Sequence, residues 1–98
     1  MAFQVVFKKR FINKLVKVQT YLENEWGDKV ARHFLNRIDE RINLLKKFPN
    51  LGAASEKIPG LRGLLITKHN ILYYKVENHI IFVVNLYDTR SQPLRTIE

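Results

Sequence analysis

The spacing of the apolar residues changes along the chain, and these changes set the order of its structural elements. In residues 3–8 apolar and polar side chains alternate, and this period of two predicts a short β-strand. From Phe11 onward the spacing becomes helical, with one apolar stripe before Gly27 and another after it. The stripes consist of Phe11, Leu15, Val18, Leu22 and Trp26, and then of Val30, Phe34, Ile38, Ile42 and Leu45. We expect both stripes to lie in the core.

Local signals set the ends of the two predicted helices. Gly27 is expected to end the first helix, because glycine adopts the left-handed backbone conformation without a steric penalty. Asp28 favours the start of the second helix, where a carboxylate complements the helix dipole. Lys46 and Lys47 fall in the last turn of that helix, and Pro49 prevents its continuation. A connection of one or two residues predicts an antiparallel helical hairpin.

The rest of the chain is predicted to be a loop followed by three strands and a polar tail. Residues 49–60 have the composition of a loop. The predicted strands are 61–68, 71–77 and 80–87, with turns at His69-Asn70 and Asn78-His79. The sequence therefore predicts an α+β fold of the order β-α-α-β-β-β, with the helical hairpin on one face of a mainly antiparallel sheet. We expect residues 1–98 to form a single domain.

Large apolar side chains occur on both faces of the last two predicted strands. If Phe82, Val84 and Leu86 face the helices, the residues between them face the other way. The two helices cover only one face, and an exposed apolar patch marks an interaction site. The alternative is that the tail from Asp88 folds over this second face. The candidate partner-binding residues on it are Ile81, Val83, Tyr73 and Tyr87.

The charge of the chain favours an acidic partner. The formal net charge is +8, and residues 1–20 contain five basic residues and no acidic one. Such a surplus is typical of proteins that bind nucleic acid or an acidic protein. The alternative interpretation is a solvated basic face that serves only solubility.

The composition also excludes several kinds of site. Without cysteine the chain has no disulfide, no thiolate nucleophile and no cysteine zinc site, which fits a reducing compartment such as the cytoplasm. No apolar run is long enough to span a membrane, and no secretory leader is evident at the N-terminus. The three histidines share no helical spacing with one another and no acidic cluster joins them, so we expect neither a metal nor a cofactor. His33 is predicted to be a surface residue and His79 a turn residue.

Four segments of the chain resemble the RelE/ParE toxin superfamily, in the order in which the family carries them. They are the helix end at 44–52 with Pro49 and Gly52, the strand start at 60–62, the strand 71–77 and the closing segment 88–93. The resemblance covers nearly the whole chain. It implies that the protein is the toxin of a type II toxin–antitoxin pair, neutralised by a cognate acidic antitoxin in a hetero-oligomer.

The resemblance also implies two kinds of chemistry. RelE-like members cut messenger RNA on the ribosome, whereas ParE-like members poison DNA gyrase and are not hydrolases. Arg62 and Arg90 match the two basic residues of the family, and arginine suits phosphate through bidentate donation but not acid–base catalysis. RelE-like nucleases carry a tyrosine or histidine after the last arginine, and residues 91–98 contain neither. This departure favours the ParE-like branch.

The predicted function is therefore a ParE-like toxin that inhibits a nucleic-acid-handling target, DNA gyrase. The candidate target-binding residues are Arg62, Arg90, Lys68 and Arg95. The first alternative is a RelE-like, metal-free endoribonuclease acting at the ribosome with Arg62, Arg90, Tyr87 and His69. The second is a family member that only binds its antitoxin.

The two arginines are predicted to lie at opposite ends of the strand meander. A purely local interpretation instead pairs Arg62 with Glu56 and Arg90 with Asp88.

Overall fold

The computed structural model describes residues 3–89, which form two helices on a five-stranded sheet. The elements are β1 Gln4–Phe7, α1 Lys9–Trp26, α2 Asp28–Lys47, β2 Ala53–Ala54, β3 Leu61–Thr67, β4 Asn70–Glu77 and β5 Ile80–Asp88. The strand order is β1-β5-β4-β3-β2, with β1 parallel to β5 and the other neighbours antiparallel. The predicted α+β fold and its β-α-α-β-β-β order are confirmed. The structure contains one strand that was not predicted, the two-residue β2, which lies within the predicted loop.

A single residue, Gly27, joins the two helices as predicted. Its φ of 94° lies in the region that glycine tolerates and other residues avoid. The amide of Gly27 donates to the carbonyl oxygen of Glu23 at 3.1 Å, and its own carbonyl oxygen accepts from the amide of Ala31 at 3.3 Å. Gly27 therefore ends α1 and begins α2 at the same position, which folds the chain back into a hairpin.

The two strand turns are set by side chains that tolerate or stabilise them. Asn78 and His79 both have positive φ values, 50° and 65°, which is the geometry of a two-residue hairpin turn. The preceding turn lies at Lys68 and His69, one residue earlier than predicted. Asn70 belongs to β4, because it pairs with Thr67 and accepts a 2.7 Å hydrogen bond from the Thr67 hydroxyl. Lys68 consequently lies in the turn and not in the strand.

The core lies between the helical hairpin and one face of the sheet. It contains Phe11, Phe34, Ile38, Ile42, Leu45, Ile66, Leu72, Tyr74, Ile81, Val83 and Leu86. Burial decreases toward the Gly27 end of the hairpin, where Val30 is exposed and Trp26 is 66% exposed. The prediction that Trp26 is a core residue is wrong, because the helical spacing continues beyond the point where the hairpin rests on the sheet.

The predicted orientation of Ile81 and Val83 is also wrong. Both are 0% exposed and pack against the helices, since β1 pairs with β5 and brings Val5 beside Ile81 in the same layer. The register of β4 against β5 then shifts between Tyr73 and Tyr74, which leaves an extra residue at Val84. This irregularity interrupts the alternation, so Leu86 also lies in the core, as predicted. Ile81 and Val83 are therefore not available to a partner.

No helix within residues 3–89 is both long enough and apolar enough to cross a membrane.

Candidate partner-binding surfaces

The sheet face opposite the helices carries large apolar side chains, as the sequence predicted. We call it the outer face and define it by Leu61, Leu65, Ile71, Tyr73, Phe82 and Val84. These residues alternate with core residues along β3, β4 and β5. Leu65 is the most exposed of them, and the buried Tyr87 reaches this face at its far end.

A shallow groove of about 460 Å³ crosses the outer face near its edge. Phe82 and Val84 are among its apolar lining residues, and its charged lining residues are the basic Lys8, Arg10 and Lys75 and one acid, Glu77. The Lys8 ammonium group lies 5.3 Å from the centre of the Phe82 ring, a cation–π distance. This groove combines apolar with basic side chains, an arrangement that suits an acidic segment with apolar residues.

The two tyrosines predicted to face a partner lie together on this side of the sheet. The rings of Tyr73 and Tyr87 meet edge to face, with their centres 6.4 Å apart. Burial, and secondarily the neighbouring Tyr87, raise the pKa of Tyr73 above its usual value of 10.0. Tyr73 therefore stays protonated at neutral pH and is a poor general base. Gly63 lies beneath it, where an added Cβ would come within 3.0 Å of the Tyr73 ring.

Arg62 is held by the loop that follows α2. Its Nη1 donates to the carbonyl oxygen of Gly52 at 2.6 Å and to that of Asn50 at 3.3 Å. The local interpretation, in which Arg62 pairs with Glu56, therefore misidentifies the partner, because these carbonyl oxygens lie beside the guanidinium. Arg62 also lies close to the buried Tyr74, with which it is paired across the sheet. The guanidinium thus fastens a loop to the sheet.

Two of the other candidate residues, Lys68 and His69, lie far from Arg62. Lys68 and His69 form the β3–β4 turn, at the opposite end of β3. From Arg62 the strand runs five residues to Thr67 and the turn adds two more to reach His69. At about 3.3 Å per residue, Arg62 and His69 lie roughly 20 Å apart. The amide of Thr89 donates to the carbonyl oxygen of His69 at 2.9 Å, so the chain leaves β5 beside that turn. Arg90 and Arg95 lie outside the described residues.

Sequence reasoning missed a cleft at the free end of the helical hairpin. The cleft has a volume of about 940 Å³ and lies between the hairpin end and the β3–β4 turn. Its lining includes Tyr21, Trp26, Val30, His33, Arg37 and His69. Arg37 connects its two sides, because its Nε donates to the carbonyl oxygen of Ile66 at 3.1 Å. The sequence feature that could have indicated this cleft is Trp26, a large apolar residue directly before Gly27 at the end of the hairpin.

His33 and His69 line the same cleft, whereas His79 lies elsewhere. His33 is exposed on α2, as predicted, and the His79 ring stacks on Phe3 with the ring centres 4.9 Å apart. Among residues 3–89 no three side chains of the metal-binding types come together.

Comparison with known protein families identifies the class of protein to which this chain belongs. Residues 5–93 match the ParE toxin family of type II toxin–antitoxin systems, parDE. The chain belongs to the ParE toxin family. This match spans both helices, both surfaces described above and all five strands apart from Gln4, the first residue of β1. The protein is accordingly a toxin of the type II class within the RelE/ParE superfamily.

Solved structures of other toxins share the ParE-family fold of this chain. The chromosomal ParDE system of P. aeruginosa has a TM-score of 0.75 at 17% identity, covering 89% of this chain and 96% of that one. A toxin from Helicobacter pylori has a TM-score of 0.65 at 20% identity, covering 90% and 96%. The E. coli RelBE toxin–antitoxin complex has a TM-score of 0.61 at 15% identity, covering 89% and 96%. At these identities the likeness is one of fold.

Comparison with curated protein sequences found no significant match.

Proposed function

We propose that this ParE-family toxin acts by binding a nucleic-acid-handling protein, DNA gyrase, and that it does not cut RNA. A cognate acidic antitoxin binds the toxin and holds it inactive. Both the target and the antitoxin are cytoplasmic partners, so we propose the cytoplasm as its place of action. Arg62 is proposed to support the target-binding surface, whereas Arg90, Lys68 and Arg95 are proposed to contact the target.

The surroundings of Arg62 carry the proposal for a binding mechanism. Metal-free RNA cleavage needs a base, an acid and cations around one phosphate. Within the described residues, Arg62 donates to loop carbonyl oxygens while His69 lies roughly 20 Å along β3. Tyr73 has a raised pKa, which disfavours proton abstraction at neutral pH. This separation supports an inhibitor that acts by contact.

The two surfaces support a separate antitoxin partner. The hairpin cleft and the outer-face groove are concave, and each combines apolar with basic side chains. Lys8 and Arg10 line the groove, and Lys17 lines the cleft, so the surplus charge of residues 1–20 reaches both. An amphipathic, acidic antitoxin segment fits such concave sites, and opposite charge accelerates its association.

The antitoxin proposal is tested by mixing the purified toxin with the product of the adjacent reading frame. We expect a stable complex at micromolar concentration whose association rate falls as salt rises. Absence of a complex when both proteins are folded would contradict the proposal.

The target is tested with two assays run on the same toxin preparation. We expect inhibition of supercoiling by purified DNA gyrase, and relief of this inhibition when antitoxin is added. Primer extension on translated messages should show no new cleavage sites after toxin induction. New cleavage sites that disappear in Tyr87→Phe would instead identify a ribosome-dependent nuclease.

A further inference from the structure

The loop that follows α2 presents two large apolar side chains to solvent. Phe48 is 57% exposed and Leu51 is 44% exposed. They are the first and last residues of a tight turn, because the Leu51 amide donates to the Phe48 carbonyl oxygen at 3.0 Å. We call residues 48–51 the apolar turn.

The backbone of the apolar turn is anchored from beneath by two side chains of the sheet. Tyr74, which is 0% exposed, donates to the Pro49 carbonyl oxygen at 2.7 Å and accepts from the Gly52 amide at 2.8 Å. Arg62 donates to the carbonyl oxygens of Asn50 and Gly52. Two carbonyl groups of the turn and both backbone groups of the adjoining Gly52 are therefore bound by side chains of the sheet.

The anchoring also depends on close approach of the loop to the sheet. A Cβ atom built on Gly52 would lie 2.8 Å from the Tyr74 ring and 2.9 Å from the Gly63 carbonyl oxygen. Only glycine allows this approach without displacing a neighbour. The apolar turn is thus held in one position by contacts that leave its two apolar side chains outward.

This arrangement reverses the usual composition of a surface turn. Loops ordinarily satisfy their backbone with water and expose polar side chains. Here a buried tyrosine and a half-buried arginine bind the backbone, and the apolar side chains are exposed to water. A rigid scaffold of this kind lowers the entropy lost on binding, because the contact residues are already ordered.

The charge and shape of the apolar turn indicate what kind of partner it fits. Residues 41–55 contain three basic residues and no acidic one, and Lys46 and Lys47 directly precede Phe48. Phe48 and Leu51 are exposed on a turn whose backbone is already bound to the sheet. A partner that receives both side chains therefore needs a pocket, which a folded protein supplies more readily than a flexible segment. A pocket that receives Phe48 and Leu51 beside two lysines requires an apolar centre and an acidic rim.

We propose that the apolar turn is the toxin's docking element for its protein target, inserting Phe48 and Leu51 into an acidic-rimmed apolar pocket of a folded protein. This inference rests on the proposed function as an inhibitor that acts by contact. Arg62 and Tyr74 are positioning residues in it, because they hold the turn and do not touch the partner. The antitoxin occupies the concave surfaces and leaves this turn uncovered.

The test compares the double variant Phe48→Ser/Leu51→Ser with the control Val16→Ser, in which a residue that is 54% exposed on α1 is changed. Growth inhibition in cells, inhibition of purified DNA gyrase, antitoxin affinity and thermal midpoint are measured for both. We expect the double variant to lose about tenfold or more in growth inhibition, as truncation of central apolar contacts does in other interfaces. Its thermal midpoint and antitoxin affinity should match those of the control. Lys47→Glu is a second variant and should weaken the inhibition of purified DNA gyrase, most strongly at low salt.

Each outcome has a defined meaning. Full growth inhibition by the double variant would overturn the proposal, and so would loss of antitoxin binding, which would assign the turn to the antitoxin surface. If the wild-type toxin arrests growth without affecting purified gyrase, the gyrase assignment fails. The growth assay of the double variant still decides whether the apolar turn is needed for toxicity.

Discussion

The hydroxyl group of Tyr74 donates a 2.7 Å hydrogen bond to the carbonyl oxygen of Pro49, which lies 25 residues earlier in the chain. The hydroxyl oxygen of Tyr74 in turn accepts from the Gly52 amide, so one buried side chain binds two backbone groups of the loop that follows α2. Arg62 adds its donors to the same loop. The position of the apolar turn therefore depends on the sheet and not on the loop sequence alone.

Removing the Tyr74 hydroxyl should destabilise the protein while leaving its packing intact. In Tyr74→Phe the ring keeps its volume, but the Pro49 carbonyl oxygen and the Gly52 amide lose their partner. Loss of such partners costs about 1–3 kcal/mol of unfolding free energy. Urea denaturation measures this loss, with Tyr21→Phe as the control because Tyr21 is exposed. Equal stability of the two variants would show that the Tyr74 contacts do not hold the loop.

The two arginines should respond differently to substitution. Arg62→Ala is expected to lower the thermal midpoint and toxicity together, since Arg62 binds two loop carbonyl oxygens. Arg62→Lys should restore only part of the stability, because an ammonium group does not reproduce the planar fork. Arg90→Ala should abolish toxicity with an unchanged thermal midpoint and antitoxin affinity. If Arg90→Ala remains fully toxic, Arg90 is not a target contact.

Trp26 should contribute to antitoxin binding more than to folding. It is 66% exposed at the hairpin cleft, and exposed tryptophans of this kind are frequent binding hot spots. Trp26→Ala is expected to weaken the antitoxin complex by about 2 kcal/mol or more and to leave the unfolding free energy within about 0.5 kcal/mol. Glu25→Ala, an exposed neighbour on α1, is the control for titration calorimetry. A large loss of stability in Trp26→Ala would instead assign the side chain to the fold.

The raised pKa of Tyr73 predicts a loss of stability at alkaline pH. Because burial and Tyr87 raise the pKa of the folded state above 10.0, the folded protein holds the phenolic proton more tightly than the unfolded chain. Stability from this group is fully present below pH 10 and is lost as the pH rises through the higher folded-state value. Urea denaturation between about pH 8.5 and 11 should show a smaller decline in Tyr73→Phe than in the wild type. Identical slopes would contradict the assignment to Tyr73.

Local sequence signals account for the order and many boundaries of the elements. Gly27 sets the hairpin because glycine tolerates a φ of 94° without strain. Asn78 sets a strand turn because asparagine also tolerates a positive φ. The helical and alternating spacings identify both helices and the three later strands, because each spacing is repeated several times within one element. The candidate site was harder to predict from the sequence, because Arg62 and His69 are close in sequence but lie at opposite ends of β3.

The sequence by itself determined the α+β class, the hairpin and the presence of apolar groups on both faces of the sheet, because these follow from local conformation and repeated spacing. Only the tertiary structure decided which strand residues face the helices and which lie on the outer face. The pairing of β1 with β5 and the irregular register at Val84 place Ile81, Val83 and Leu86 in one core, and no periodicity along a single strand specifies either feature. Long-range packing likewise left Trp26 exposed and assigned Arg62 to the backbone of the apolar turn. Spacing identifies an apolar face, but contacts between distant segments determine what covers it.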